Sequence, residues 1–206
     1  MDHNSKFIEY VTSVAEKHNV KLIVNNETSI PYPNSHMMCS GYFIDYNSPE
    51  LGIAIGGDKE DWLPILVHEF SHMQQYLENT ECWKNNFIDG IETIDIIDKW
   101  ISGDDSITNI EDLISRSYAI EADCEKRSIE NIKTFKLEID IPMYYQKANS
   151  YILFYAAMLE NRKWYNKYKK PYMIKEVWSV MPNDRIIEDW KTEYQLYKNV
   201  FNTYCF

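Results

Sequence analysis

No stretch of the sequence is long and apolar enough to cross a bilayer. Its longest apolar run, Tyr151 to Leu159, falls far short of the roughly 20 residues that a spanning helix needs. The first ten residues, MDHNSKFIEY, lack the basic-then-apolar layout of a secretory signal. There is no C-x-x-C pair. The four cysteines (Cys39, Cys82, Cys124 and Cys205) are widely spaced, which suits reduced thiols in a cytosol better than a disulfide framework. Positive charge is also short, with 21 Lys and Arg against 32 Asp and Glu, for a formal net charge of −11. Such a surface repels phosphate backbones and anionic lipid, so neither nucleic acid nor membrane is an expected partner. Internal repeats, low-complexity segments and linkers are likewise missing. These absences leave a soluble, cytoplasmic protein whose 206 residues form a single domain. With 45% hydrophobic and 15% aromatic residues, the chain can bury a sizeable core.

The patterning predicts an α+β domain. Residues 4–19 carry Phe7, Ile8, Val11 and Val14/Ala15 at helical spacing. Three short strand candidates follow at 20–24, 40–46 and 51–55, the first two separated by the turn-rich loop NNETSIPYPNSHMM. Asp61 is a candidate N-cap, with Pro64 in the first turn of a helix over 62–78. Further helices are expected over 87–101, from a capping box at Thr108-Asn-Ile-Glu111 to about 136, over 143–168 and over 184–201. The order is helix, short mostly antiparallel sheet, then helices: residues 1–80 hold the sheet and a central helix, and 81–206 form a helical part.

That central helix contains LVHEFSHMQQ, with His68 and His72 four residues apart and Glu69 directly after the first. On a helix, residues i and i+4 share a face about 5–6 Å apart at Cβ, so both imidazoles can aim at one metal ion. Glu69 is turned about 100° away around the axis. It is poorly placed to ligate and well placed to reach a water held by the metal. This is the division of labour that water-activating Zn2+ chemistry requires. The flanking residues Ile65, Leu66, Val67, Phe70 and Met73 are uncharged, which suits a buried helix. Two buried histidines need either polar partners or a metal.

A catalytic zinc takes three protein ligands and keeps one position open. His3 and His18 lie at the terminus and near the end of the first helix, and His36 lies in the loop, leaving it an alternative. The helix over 108–136 offers a carboxylate. Ile110, Leu113/Ile114, Ile129 and Ile132 mark its inward stripe; Glu121 lies on that stripe, whereas Asp123 shares a mostly solvated face. A carboxylate on a buried stripe must meet a cation, be paired, or be protonated. Glu121 is therefore the expected third ligand. Glu125, one turn on, suits a role accepting the other ring N–H of a ligating histidine. The competing reading leaves both glutamates solvated at the edge of the stripe.

H-E-x-x-H followed by a glutamate on a downstream helix resembles the zincin metallopeptidases, in particular their glutamate-liganded branch. The match covers His68, Glu69, His72 and Glu121 with its helix. The phrase IEADCE is similar to the third-ligand segment of compact intracellular peptidases such as the ImmA/IrrE family, with Ala119 where that pattern has an earlier glutamate. The chain also resembles uncharacterised metallopeptidases encoded by tailed phages. The resemblance implies a zincin-like fold: a short sheet whose edge strand runs beside the active-site helix, with 51–55 as the natural edge. It also implies a protein or peptide substrate that adds to that edge as an extra strand. Gly52, Gly56 and Gly57 would leave backbone approachable there, or simply form turns.

Tyr118, one turn before Glu121, is a candidate to stabilise an oxyanion, although aromatics at helical spacing also serve as core. The basic stretch 161–170 interleaves Trp164, Tyr165 and Tyr168; its place at a helix C-terminus accounts for its charge better than nucleic acid does. The competing function is a non-catalytic binding or regulatory protein with a zincin-like fold, whose metal is structural, with His36 or Cys39 as fourth ligand, or absent.

Overall fold

A computed structural model describes residues 2–46, 48–165 and 169–206. The chain is mixed α and β and divides into two compact units. The first comprises Met1–Thr80 and Arg127–Ile139, the second Glu81–Lys126 and Asp140–Phe206.

The first unit opens with α1 (His3–Lys17), capped by the Asp2 side chain, which accepts from Ser5 N. Phe7, Val11 and Ala15 form its buried stripe. The strands are β1 (Lys21–Asn25), β2 (Ile30–Pro31), β3 (Met38–Cys39), β4 (Gly41–Ile44) and β5 (Glu50–Ala54). Three of them make a mixed sheet in the order β1-β5-β4, with β5 parallel to β1 and antiparallel to β4. β2 and β3 pair separately. The segment expected as the sheet edge is therefore its centre. Leu51, Ile53 and Ala54 are buried, and the backbone of β5 is engaged on both sides. A nearly unbroken apolar run suits a central strand buried on both faces better than an edge. Among the described residues, β1 and β4 are the outer strands of this sheet.

β4 alternates between the two faces of the sheet. Phe43 meets Tyr76 of α2 (Lys59–Glu78), their ring centroids 5.5 Å apart, while Tyr42 and Ile44 point to the opposite face, into a cluster with Ile30 and Ala54. Helix α2 begins earlier than the sequence suggests, after Asp58 rather than Asp61, so Pro64 falls in the second turn and removes one backbone bond. Asn79 closes α2 in the left-handed region (φ 50°), which Asn tolerates.

The second unit starts with α3 (Glu81–Asn85), followed by β6 (Phe87–Ile88) and β7 (Ile91–Glu92). A helix was the expectation over 87–101. Instead Asp89 and Gly90, both at positive φ, make a two-residue turn that pairs Ile88 with Ile91. Only Thr93–Ile101 is helical, as α4. α5 (Ile110–Phe135) is one continuous helix whose residues up to Lys126 belong to this unit and whose last turns belong to the first. α6 (Ile141–Asn161) is capped by Asp140 and stops at Arg162 (φ 48°), short of the predicted end at Tyr168. Tyr168, with Asn166 and Lys167 of the basic stretch, lies outside the described residues.

A short α7 (Lys175–Trp178) precedes α8 (Trp190–Tyr204), which starts later than predicted because Asp189, not Asp184, caps it. Residues 182–187 are held by a side chain instead: the amide of buried Asn149 donates to the carbonyls of Pro182 (3.0 Å) and Arg185 (2.8 Å) and accepts from Ile187 N (2.9 Å). Among the described residues, no helix is long and apolar enough to cross a membrane. All four cysteines are free thiols.

Candidate metal centre

α2 carries the histidines because its apolar residues recur every three or four positions. Leu63, Leu66, Val67, Phe70 and Met73 are all at most 4% exposed. Phe70 meets Phe7 of α1 edge-on at 5.6 Å. The last turns of α5 dock on the same helix within the first unit. Ser128 Oγ donates to Ser71 Oγ (3.0 Å), Asn131 Nδ2 donates to Gln74 Oε1 (2.9 Å), and Arg127 pairs with Glu78 (2.7 Å). Phe135 closes the contact against Phe7 and Tyr10. The helix between His68 and His72 is thus gripped at Phe70 and Ser71.

Both imidazoles are half-buried, with ring planes nearly perpendicular (86°) and the two Nε2 atoms 3.2 Å apart. The Nδ1 atom of His72 lies 2.8 Å from Oε1 of Gln75, which is fully buried. An amide oxygen only accepts, so Nδ1 carries the ring proton and Nε2 of the neutral ring presents a lone pair. Two arrangements satisfy this geometry: His68 Nε2–H donates to His72, or the two lone pairs converge on one cation. Two nitrogens each about 2.0–2.1 Å from a tetrahedral zinc stand about 3.3–3.4 Å apart. The observed 3.2 Å is close to that spacing and is equally the length of a hydrogen bond between the rings. The Gln75 contact also supplies the outer partner that a ligating histidine ordinarily has. Periodicity gave no reason to single out Gln75, although position i+3 from His72 on the same helix face could have flagged it.

Glu69 faces β4. A Cβ on Gly41 would lie 3.2 Å from Glu69 Cγ and 2.8 Å from Ile65 Cγ2, so glycine lets this face of the strand lie close against the Glu69 side chain. The glycines singled out in the sequence do other work. Gly52 lies beneath the Tyr42 ring, Gly56 lies against the backbone of Asn26 and Glu27, and Gly57 is roomy. His36 lines a cleft of about 470 Å³ with Tyr32, Tyr42 and Glu50, on the sheet face turned away from α2. Cys39 is half-buried and donates weakly to the Ile30 carbonyl.

The remaining candidates lie in the second unit. Glu121 is half-buried and its Oε1 accepts from the hydroxyl of Tyr151 on α6 (3.2 Å). Burial first, and the Glu121 charge second, push the hydroxyls of Tyr151 and Tyr155 well above the usual tyrosine range, so both stay protonated donors. Glu125 is only 4% exposed and accepts from the Tyr144 hydroxyl (2.8 Å). Neither glutamate is merely solvated. Cys124, between them, is fully buried. Tyr118 is buried too, and its hydroxyl donates to the Ile187 carbonyl (2.6 Å), which commits its proton to holding residues 182–187. In the basic stretch, Arg162 bonds the Trp100 carbonyl (2.8 Å) and Asp105 (2.6 Å), and Trp164 Nε1 donates to Asp98. Those side chains tie α6 to the end of α4.

No family model matches the chain, and no curated protein or solved structure matches it.

Proposed function

We propose that the chain is a zinc-dependent peptidase acting on a protein or peptide in the cytoplasm. The observation that carries this reading is the 3.2 Å approach of the His68 and His72 Nε2 atoms, with the His72 tautomer set by Gln75. The ion would be held by these two nitrogens and by a donor from α5. Glu121 is the donor selected by the helix stripe, and Cys124, three residues along the same helix, is the alternative. Zinc supplies Lewis acidity, which makes water acidic enough to act as a nucleophile near neutral pH. Glu69 accepts the proton of the attacking water and passes it to the departing amine. Its side chain lies over Gly41, on an outer strand of the sheet. An extended peptide adding to that edge would bring its carbonyl towards Glu69.

Buried Cys124 favours a second reading, in which the ion is structural and the protein binds rather than cleaves. A closed site has four protein ligands, often with thiolate among them. One set of measurements separates the readings: zinc content and peptidase activity of the wild type and of His68→Ala, Glu121→Ala, Cys124→Ala and Glu69→Gln. The peptidase reading expects stoichiometric zinc, lost in the first two variants, kept in the third, and kept without activity in Glu69→Gln. Loss of zinc in Cys124→Ala but not in Glu121→Ala would move the third donor to the thiol. A wild type that binds no zinc would reject both metal readings and leave a non-catalytic protein without a metal.

A further inference from the structure

We propose that the cleft lined by β1 and β2 is a binding site for an arginine side chain of a partner protein. The proposal is independent of the zinc reading, because the cleft lies on the sheet face turned away from α2 and its residues all belong to the first unit. Its walls are apolar where Ile23, Ile30 and Pro31 line it. They are aromatic where Tyr32 and Tyr42 meet edge-on, their ring centroids 5.7 Å apart and their planes at 69°. Two rings at such an angle form two sides of an aromatic cage. The Tyr42 hydroxyl donates to Glu50, which places a carboxylate beside the rings. Among the described residues that line the cleft, none is a lysine or arginine.

That combination selects a cation with an apolar stem. An arginine buries its methylenes against apolar surface, while its guanidinium stacks on aromatic faces and its fork of donors meets a carboxylate. Glu50 has room to accept it. Its Oε1 takes the Tyr42 proton and its Oε2 takes Lys21 at 3.0 Å, which uses two of about four lone-pair sites. The Lys21 side chain is 64% exposed, so this is a surface ion pair from which the ammonium swings out at little cost. A volume of about 470 Å³ is within the range of sites that enclose small ligands. The rim points to a protein partner rather than a free cation. Met38 pairs with Pro31, the Met37 carbonyl accepts from Tyr32 N (2.9 Å), and both methionines are more than half exposed. Exposed methionines give the adaptable apolar surface that partner-binding faces use. The net charge of −11 draws a basic partner in.

The test titrates N-acetyl-arginine amide into the isotope-labelled full chain and follows amide shifts by NMR, with N-acetyl-citrulline amide as the uncharged control of the same shape. The expected result is a Kd of about 1 mM for the arginine probe, with the shifts centred on Tyr32, Tyr42 and Glu50. The citrulline probe should bind about 5- to 30-fold more weakly, and Tyr32→Leu and Glu50→Gln should each weaken the arginine probe to a similar degree. Equal binding of the two probes, shifts centred elsewhere, or unchanged binding in folded Tyr32→Leu would overturn the proposal. If Glu50→Gln does not fold, the wild type in about 1 M salt replaces it: the preference for arginine over citrulline should shrink there, and a preference that salt leaves intact would count against the carboxylate. A Leu-Arg-Leu peptide should bind more tightly than the amide and also shift the Met37 and Met38 methyl signals. A peptide that binds no tighter than the amide overturns the protein partner.

Discussion

Adding one methyl group at Gly52 should unsettle the sheet through the tyrosine that covers it. Gly52 sits at the centre of β5, directly across from Tyr42 of β4. A Cβ built there would lie inside contact distance of the Tyr42 ring carbons and 2.9 Å from its hydroxyl oxygen. Ordinary carbon contacts begin near 3.5 Å, so the ring has to move by about 1 Å. Tyr42 is only 4% exposed, and its surroundings resist the shift. Overpacking of this kind costs about 1–3 kcal/mol. If the shift also breaks the hydrogen bond from the Tyr42 hydroxyl to Glu50, a further ~1.5–3 kcal/mol is lost. Gly52→Ala should therefore destabilise the protein by about 1–6 kcal/mol, measured by urea unfolding followed by circular dichroism.

The decisive comparison is the same change in a Tyr42→Ala background. With the ring gone, alanine in an extended strand is favoured over glycine by about 0.4–1 kcal/mol through the unfolded chain, so the sign should reverse. A Gly52→Ala cost that is the same in both backgrounds would refute the reasoning.

Three other outcomes are expected. If the chain binds zinc as proposed, Gln75→Ala should weaken that binding by about 10- to 100-fold in chelator competition, because His72 loses the partner that sets its tautomer; unchanged affinity would reject that role. Asn149→Ala strands two carbonyls and one N–H of 182–187 and should cost about 3 kcal/mol in chemical denaturation; a loss below about 0.5 kcal/mol would mean the segment is held otherwise. Burial raises the Cys205 thiol to about 11, so at pH 8 it carries almost no thiolate. Brief iodoacetamide treatment of the native protein at that pH should label half-buried Cys39 and Cys82 and spare Cys205, with all four labelled after unfolding, as read by mass spectrometry.

Features with a short repeat were legible in the sequence. The i, i+4 spacing of His68 and His72 places them on one helix face, and the convergence of their Nε2 atoms follows from it. The stripe of α1 and the Asp2 side of its cap are equally local. Helix boundaries were harder where more than one acidic residue stands near the start, as Asp58 and Asp61 do at α2 and Asp184 and Asp189 at α8. The hairpin over 87–92 was written in the Asp89-Gly90 pair, but the isoleucines at helical spacing outweighed it. The centrality of β5 and the pairing of Glu121 with Tyr151 are of another kind. They depend on partners 29 to 30 residues away in the chain, which no local pattern encodes. The Gly41 approach to Glu69 is non-local in the same way, since the strand that needs the glycine reveals nothing of the helix beside it.

Ile187 has no place in a helix or strand, yet its amide proton goes to Asn149 and its carbonyl takes the proton of Tyr118. Both partners are buried, so neither bond can be broken by water without opening the interior of the second unit. In hydrogen exchange this amide should keep pace with the slowest protons of α6, not with those of surface loops. Asn183 to Arg185 stay exposed, yet at Ile186 and Ile187 the chain is as buried as the core without belonging to a helix or strand.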